Sequence, residues 1–165
     1  MNINKLTPLF NSFKNISQFL SSEKNNLSMN DTKKFCNNIL IDSISKINEI
    51  IGYIDNQSLE PKIFFKNNNL NQNYLIAFSA LDGSKNLLSN ISVGSIFSIY
   101  KYEPEKKTLS SIIISGYCLY GTKTILVISD GNELKEYFLN KNNDFEYSNN
   151  FHFSNNKKKI YAINN

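Results

Sequence analysis

Five residues are the best placed for chemistry: Leu81-Asp82-Gly83-Ser84-Lys85, at the end of an apolar strand predicted over Asn73–Phe78. A carboxylate leaving a strand end, followed by small residues with accessible backbone N–H groups, is suited to hold a metal ion and a phosphate side by side. A second apolar strand departs through Val93-Gly94-Ser95-Ile96-Phe97, so the segment reads as strand, turn, strand. Other reactive types are sparse. Cys36 and Cys118 lie far apart, with no Cys-x-x-Cys pair and no histidine at ligand spacing, so neither a disulfide scaffold nor a zinc site is expected. His152 is the only histidine. It falls in an alternating segment and reads as a half-exposed strand residue rather than a catalytic base.

The elements that must position the turn follow from periodicity. Thr7-Pro8 reads as a helix start, with Leu9, Phe10, Phe13, Ile16, Phe19 and Leu20 recurring at helical spacing, which predicts a helix over 8–22. Asn30-Asp31 is read as the cap of a second helix carrying Phe35, Ile39, Leu40, Ile44, Ile47 and Ile51, ended by Gly52. Beyond Gly52 the period becomes that of strands, predicted at 62–66, 73–79, 91–102, 111–120, 124–129, 134–139 and 158–162. Asp130-Gly131 between two apolar runs signals a hairpin. The fold class is therefore α+β, a mostly antiparallel sheet with two N-terminal helices on one face. Ile39, Ile44, Ile47, Leu75, Ile96, Phe97, Ile113 and Leu126 are the expected core.

At 165 residues and 41% hydrophobic, the chain is long and apolar enough for a packed core. A charge of +4 comes without a single Arg, so the fork that reads bases and clamps phosphate is missing. Lys157-Lys158-Lys159 reads as a solvated loop, and no nucleic-acid partner is expected. No apolar run approaches the length of a membrane span and the start lacks a secretory layout, so no membrane association is expected and the cytoplasm is the expected compartment.

Three motifs in order carry a resemblance. Leu81-Asp82-Gly83-Ser84, Val93-Gly94-Ser95-Ile96-Phe97-Ser98-Ile99-Tyr100 and Gly116-Tyr117-Cys118-Leu119-Tyr120-Gly121 fall within about forty residues. They resemble the Asp-Pro-Leu-Asp-Gly-Ser-Ser-Asn loop, the Val-Gly-Thr-Ile-Phe strand and the Ala-Gly-Tyr-Ala-Leu-Tyr-Gly-Ser strand of class I fructose-1,6-bisphosphatases. Lys158 to Asn164 is similar to a Gly-Lys-Ile-Tyr-Ser-Leu-Asn stretch near the end of that family's first domain. The resemblance implies that fold, with a domain over 33–165, a helix and linker over 1–32, and a second domain that is absent. It also implies Mg²⁺-dependent hydrolysis of a sugar phosphate, gluconeogenesis as the setting, and phosphate binding by Asp82, Gly83, Ser84 and Lys85.

The same resemblance shows departures. On an ungapped register the family's Glu-Glu pair falls on Leu59 and Glu60, the first Asp of Asp-x-x-Asp on Ser79, and a supporting Asp on Cys36. Glu60 and Asp82 are the two remaining metal ligands, and two carboxylates leave most of the charge on two or three Mg²⁺ ions unneutralised. The expectation is a phosphatase-like chain that is inactive alone, with Mg²⁺ binding weak or lost and no confident catalytic residue. The competing expectations are half of a split phosphatase completed by a separate C-terminal-domain chain, or a non-catalytic interaction module. Association with itself is the other partner expected.

Overall fold

The structure, a computed structural model, describes residues 1–22, 27–64, 74–89 and 91–151. Two helices, α1 (Thr7–Ser21) and α2 (Met29–Ser45), precede eight strands. These are β1 (Ile50–Asp55), β2 (Ser58–Ile63), β3 (Tyr74–Asp82), β4 (Val93–Glu103), β5 (Thr108–Tyr120), β6 (Ile125–Ser129), β7 (Leu134–Leu139) and β8 (Phe145–Phe151). They form one sheet in the order β2-β1-β3-β4-β5-β6-β7-β8. The β1–β3 pair is parallel and the other pairs are antiparallel, so the α+β reading holds.

Helix starts were the less legible part of the sequence. A short 3₁₀ helix (Ile3–Leu6) leads into α1, so Thr7 is already helical and its hydroxyl donates back to the Asn4 carbonyl at 3.0 Å. Ser28 caps α2, in place of the expected Asn30-Asp31: its hydroxyl accepts from the Asp31 N–H at 3.2 Å and bonds the Asp31 carboxylate. The Ser28 oxygen thus satisfies one of the first backbone donors of the helix. The larger correction concerns the end of α2, which stops at Ser45 and not at Gly52. Residues 50–55 form β1, because Ile44, Ile47 and Ile51 satisfy a helical period while Ile50 and Gly52 also satisfy a strand. Gly52 allows close strand approach: a Cβ there would sit 2.4 Å from the Lys62 carbonyl. The predicted strands therefore begin too late, at 62, and none of them covers β8.

One face of the sheet is covered. Leu9, Phe13 and Ile16 of α1 and Cys36, Leu40 and Ile44 of α2 are buried with Ile76, Phe78, Phe97, Ile99, Ile114 and Leu126. The Phe13 ring lies 5.7 Å from that of Phe97. Ile44, Ile47, Leu75, Phe97 and Leu126 are buried as expected, while Ile39 and Ile113 are only partly so. Ile96 is a correction, at 49% exposed. It stands one residue out of phase with Val93, Ser95, Phe97 and Ile99, which point to the helices, and so projects from the other face. The Asp130-Gly131 hairpin joins β6 to β7, with Gly131 at φ +88° and the Asp130 carboxylate accepting from the N–H groups of Asn132 and Glu133. Strand 158–162, Lys157–Lys159 and His152 lie outside the described residues. Among the described residues no helix is long and apolar enough to cross a membrane.

Candidate functional site

The turn that follows β3 is held from behind. The Ser95 hydroxyl, fully buried, donates to the Ala80 carbonyl at 2.7 Å and shares a 2.7 Å bond with the Tyr120 hydroxyl. Burial pushes the Tyr120 hydroxyl well above its ordinary pKa, so it is a neutral structural anchor. Gly83 adopts φ +66°, the left-handed region in which a side chain is strained, and its carbonyl accepts from the Asn86 N–H at 2.8 Å. A 3₁₀ helix (Ser84–Ser89) begins immediately after it. Asp82 and Lys85 are exposed and Ser84 is buried.

Beside this turn lies the end of β1, because β1 runs parallel to β3 with Asp55 level with Phe78. The Asn56 amide donates to the Ser79 hydroxyl at 3.3 Å. Asn56, Ser79, Asp82, Ile96 and Tyr100 line a groove of about 340 Å³ on the sheet face away from the helices. Ser79, Asp82 and Gly83 thus sit together. Glu60 and Leu59 lie on β2, the edge strand, and β1 separates them from β3. Glu60 is exposed.

Sequence reasoning passed over Asp55, the carboxylate that adjoins this region. Its side chain is 1% exposed and closes the β1–β2 hairpin by accepting from the N–H groups of Gln57 at 3.1 Å and Ser58 at 2.9 Å. It also accepts from the Asn37 amide of α2 at 3.4 Å and from the Lys62 ammonium at 3.0 Å. Burial alone would raise the Asp55 pKa, but the Lys62, Asn37 and backbone donors outweigh it and hold the carboxyl below its usual range. The reciprocal effect raises Lys62. The signal for Asp55 was available, since Ile50-Ile51-Gly52-Tyr53-Ile54-Asp55 ends an apolar run with a carboxylate as Asp82 does. Extending α2 to Gly52 concealed it.

The donor set does not fit a magnesium centre of several ions. Asp55 is already neutralised by an ammonium, and Ser79 offers a hydroxyl where a carboxylate is needed. Among the described residues no three His, Cys, Asp or Glu side chains are grouped to hold an ion. Burial drives the Cys36 thiol up to about 12 and the Cys118 thiol higher still, so neither is a ready thiolate ligand.

Residues 10–150 match the family model for the fructose-1,6-bisphosphatase N-terminal domain. The chain is 36% identical over 131 residues to a class 1 fructose-1,6-bisphosphatase of Neisseria meningitidis serogroup B, covering 73% of this chain and 39% of that protein. A relative from Sulfurihydrogenibium is 34% identical over 113 residues, 62% of this chain and 33% of its own length. The chain therefore spans about two fifths or less of these relatives. Leishmania major fructose-1,6-bisphosphatase in its holo form has the same fold, with a TM-score of 0.72, 22% identity, and coverage of 86% of this chain and 48% of that one.

Proposed function

The chain belongs to the fructose-1,6-bisphosphatase family through its N-terminal domain, and we propose that it is a phosphatase-like member that keeps the fold and has lost metal-dependent turnover. The observation that carries this is the pairing of Ser79 with Asn56 where β1 ends alongside β3. Hydrolysis of a phosphate monoester by metal ions needs hard anionic oxygens at the ions and an activated water. Ser79 and Asn56 are neutral, Asp55 is engaged by Lys62, and Asp82 is left as the exposed carboxylate of the groove. Glu60, the other carboxylate of the ungapped register, lies on β2 with β1 between it and Asp82, so at most two such donors are available. Mg²⁺ would thus be held weakly or not at all.

The turn Asp82-Gly83-Ser84-Lys85 is the part of the site read as still able to receive the phosphate of a sugar phosphate, with Lys85 as a point charge. No residue is assigned a catalytic role. The test is a Mg²⁺-dependent assay on fructose 1,6-bisphosphate with the purified chain, with and without a supplied second domain. No turnover in either arm is expected. Turnover by the chain alone overturns the reading.

A second reading, one half of a split phosphatase or a non-catalytic partner of another chain, is favoured by the apolar sheet face opposite the helices. Ile96, Ile112, Tyr117 and Leu119 are exposed there in a chain that spans two fifths of its relatives. Turnover that appears only when the second domain is supplied would select it.

A further inference from the structure

On the helix side of the sheet, away from the Asp82 groove, lies a cavity of about 320 Å³. The last turns of α1, the 3₁₀ helix after Gly83 and the β5–β6 turn wall it, and no lining residue carries a charge. The Ser17 and Thr124 hydroxyls in this wall bond each other at 2.6 Å, and Thr124 is only 7% exposed. Two hydroxyls carry two protons, and the bond between them uses one. Elsewhere on α1 a serine proton goes to a helix carbonyl, as from Ser12 to Leu9 at 2.6 Å and from Ser21 to Ser17 at 2.8 Å. Among the described residues neither Ser17 nor Thr124 has such a second acceptor, so the pair keeps one O–H donor at the cavity wall. Tyr120 contributes its ring, because its hydroxyl is engaged with Ser95. Leu20, Leu87 and Val93 supply an apolar wall.

We propose that this cavity is a binding site for a small uncharged molecule that carries a carbonyl oxygen on a ring-sized apolar body. The oxygen accepts from the Ser17–Thr124 pair, and the body covers Leu20, Leu87 and Val93. Few convergent polar groups set in an apolar lining are the usual makeup of a small-molecule site, and the volume lies at the lower end of the usual range. Water at that wall meets a donor between apolar side chains, and a ligand that reproduces its hydrogen bond while covering those side chains gains by displacing it. An anion does not fit, because no lysine stands in the wall to replace its hydration. The cavity therefore selects against phosphorylated molecules, and the proposal is independent of whether the chain hydrolyses a sugar phosphate.

The probe is benzamide, titrated into the isotope-labelled natural chain and followed by nuclear magnetic resonance. Saturable shifts are expected at the backbone amides of Ser17, Leu87 and Thr124, with a Kd of about 1 mM for so small a molecule. Benzoate has the same ring and a charge in place of the neutral amide, and it should bind at least about tenfold more weakly. Ser17→Ala combined with Thr124→Val removes both hydroxyls at nearly constant volume and should weaken benzamide about fivefold. Should that variant fail to fold, the comparison of benzamide with benzoate on the natural chain still decides. The proposal is overturned if benzamide gives no saturable shifts, if benzoate binds equally well, or if the folded double variant keeps full affinity. Shifts centred on Ser79 and Ile96 instead would place the ligand in the groove on the other face and overturn it as well.

Discussion

The two faces of the sheet are built from the same strands and have different fates. On the covered face, Phe13, Ile16, Ile44, Ile76 and Ile99 are fully buried and continuous from helix to strand. On the opposite face, Ile96 is 49% and Tyr117 46% exposed although they are register partners. Their side chains are as apolar as those beneath the helices. Covering layers, not strand composition, decide which apolar row becomes a core. The candidate groove opens on the second face, so Ser79, Asp82 and the exposed apolar row belong to one surface.

The largest effect that would sharpen this contrast comes from the covered face. Phe13→Ala removes a ring packed on Phe97 and should cost about 3–5 kcal/mol in denaturant unfolding. A loss under about 1 kcal/mol would mean that α1 is not part of the core. Next comes Asp55→Ala, which leaves the Gln57 and Ser58 N–H groups and the Asn37 amide without an acceptor and should cost about 2–3 kcal/mol. Little of that belongs to Lys62, whose head is half in water. The same tie has a pH signature. A carboxyl whose folded pKa is depressed contributes stability that is present above its unfolded pKa and lost as pH falls through the folded one. Unfolding midpoints of the natural chain should therefore fall on acidification below the ordinary aspartate range, and those of Asp55→Asn should fall less.

The sequence was most legible where one signal had one interpretation. Asp130-Gly131 could only be a tight hairpin, and the Leu81 to Ser84 turn announced itself through Gly83, whose positive φ the structure displays. It was least legible where two periods coincide. Ile44, Ile47 and Ile51 fit a helix, so β1 was absorbed into α2 and Asp55 was lost with it. Ile96-Phe97 shows the second limit. Two adjacent large apolar residues on a strand do not say which of them faces the helices, because that depends on where α1 and α2 land. The pairing of Asn56 with Ser79 had no sequence signal, since it arises from the parallel β1–β3 register between segments more than twenty residues apart.

A smaller thermodynamic effect, with a larger change in behaviour, is expected on the open face. Ile96→Ser should change unfolding free energy by only about 0.5 kcal/mol, because the side chain is half in water already. Combined with Tyr117→Ser it should nevertheless lower self-association measured by sedimentation, since it breaks up a contiguous apolar row. A natural chain that sediments as a clean monomer at high concentration would remove the contrast between the faces in solution.

The smallest effect should be that of magnesium. A ligand that binds only the folded state stabilises it in proportion to the logarithm of its excess over Kd, so an ion held at tens of millimolar contributes almost nothing at millimolar concentration. The Asn56 amide donates to the neutral Ser79 hydroxyl, and the groove presents Asp82 as its exposed carboxylate, so Mg²⁺ should move the melting temperature of the natural chain by less than about 1 °C. Ser79→Asp places a second carboxylate in that groove. Without metal it should melt slightly lower, because two neighbouring carboxylates resist ionising together. With Mg²⁺ it should recover that loss and gain about 1–2 °C. Calorimetric scans with and without the ion separate the two terms. A large Mg²⁺ response in the natural chain would show that the groove keeps a metal site despite Ser79, and would overturn the proposal that the open face has lost its metal chemistry.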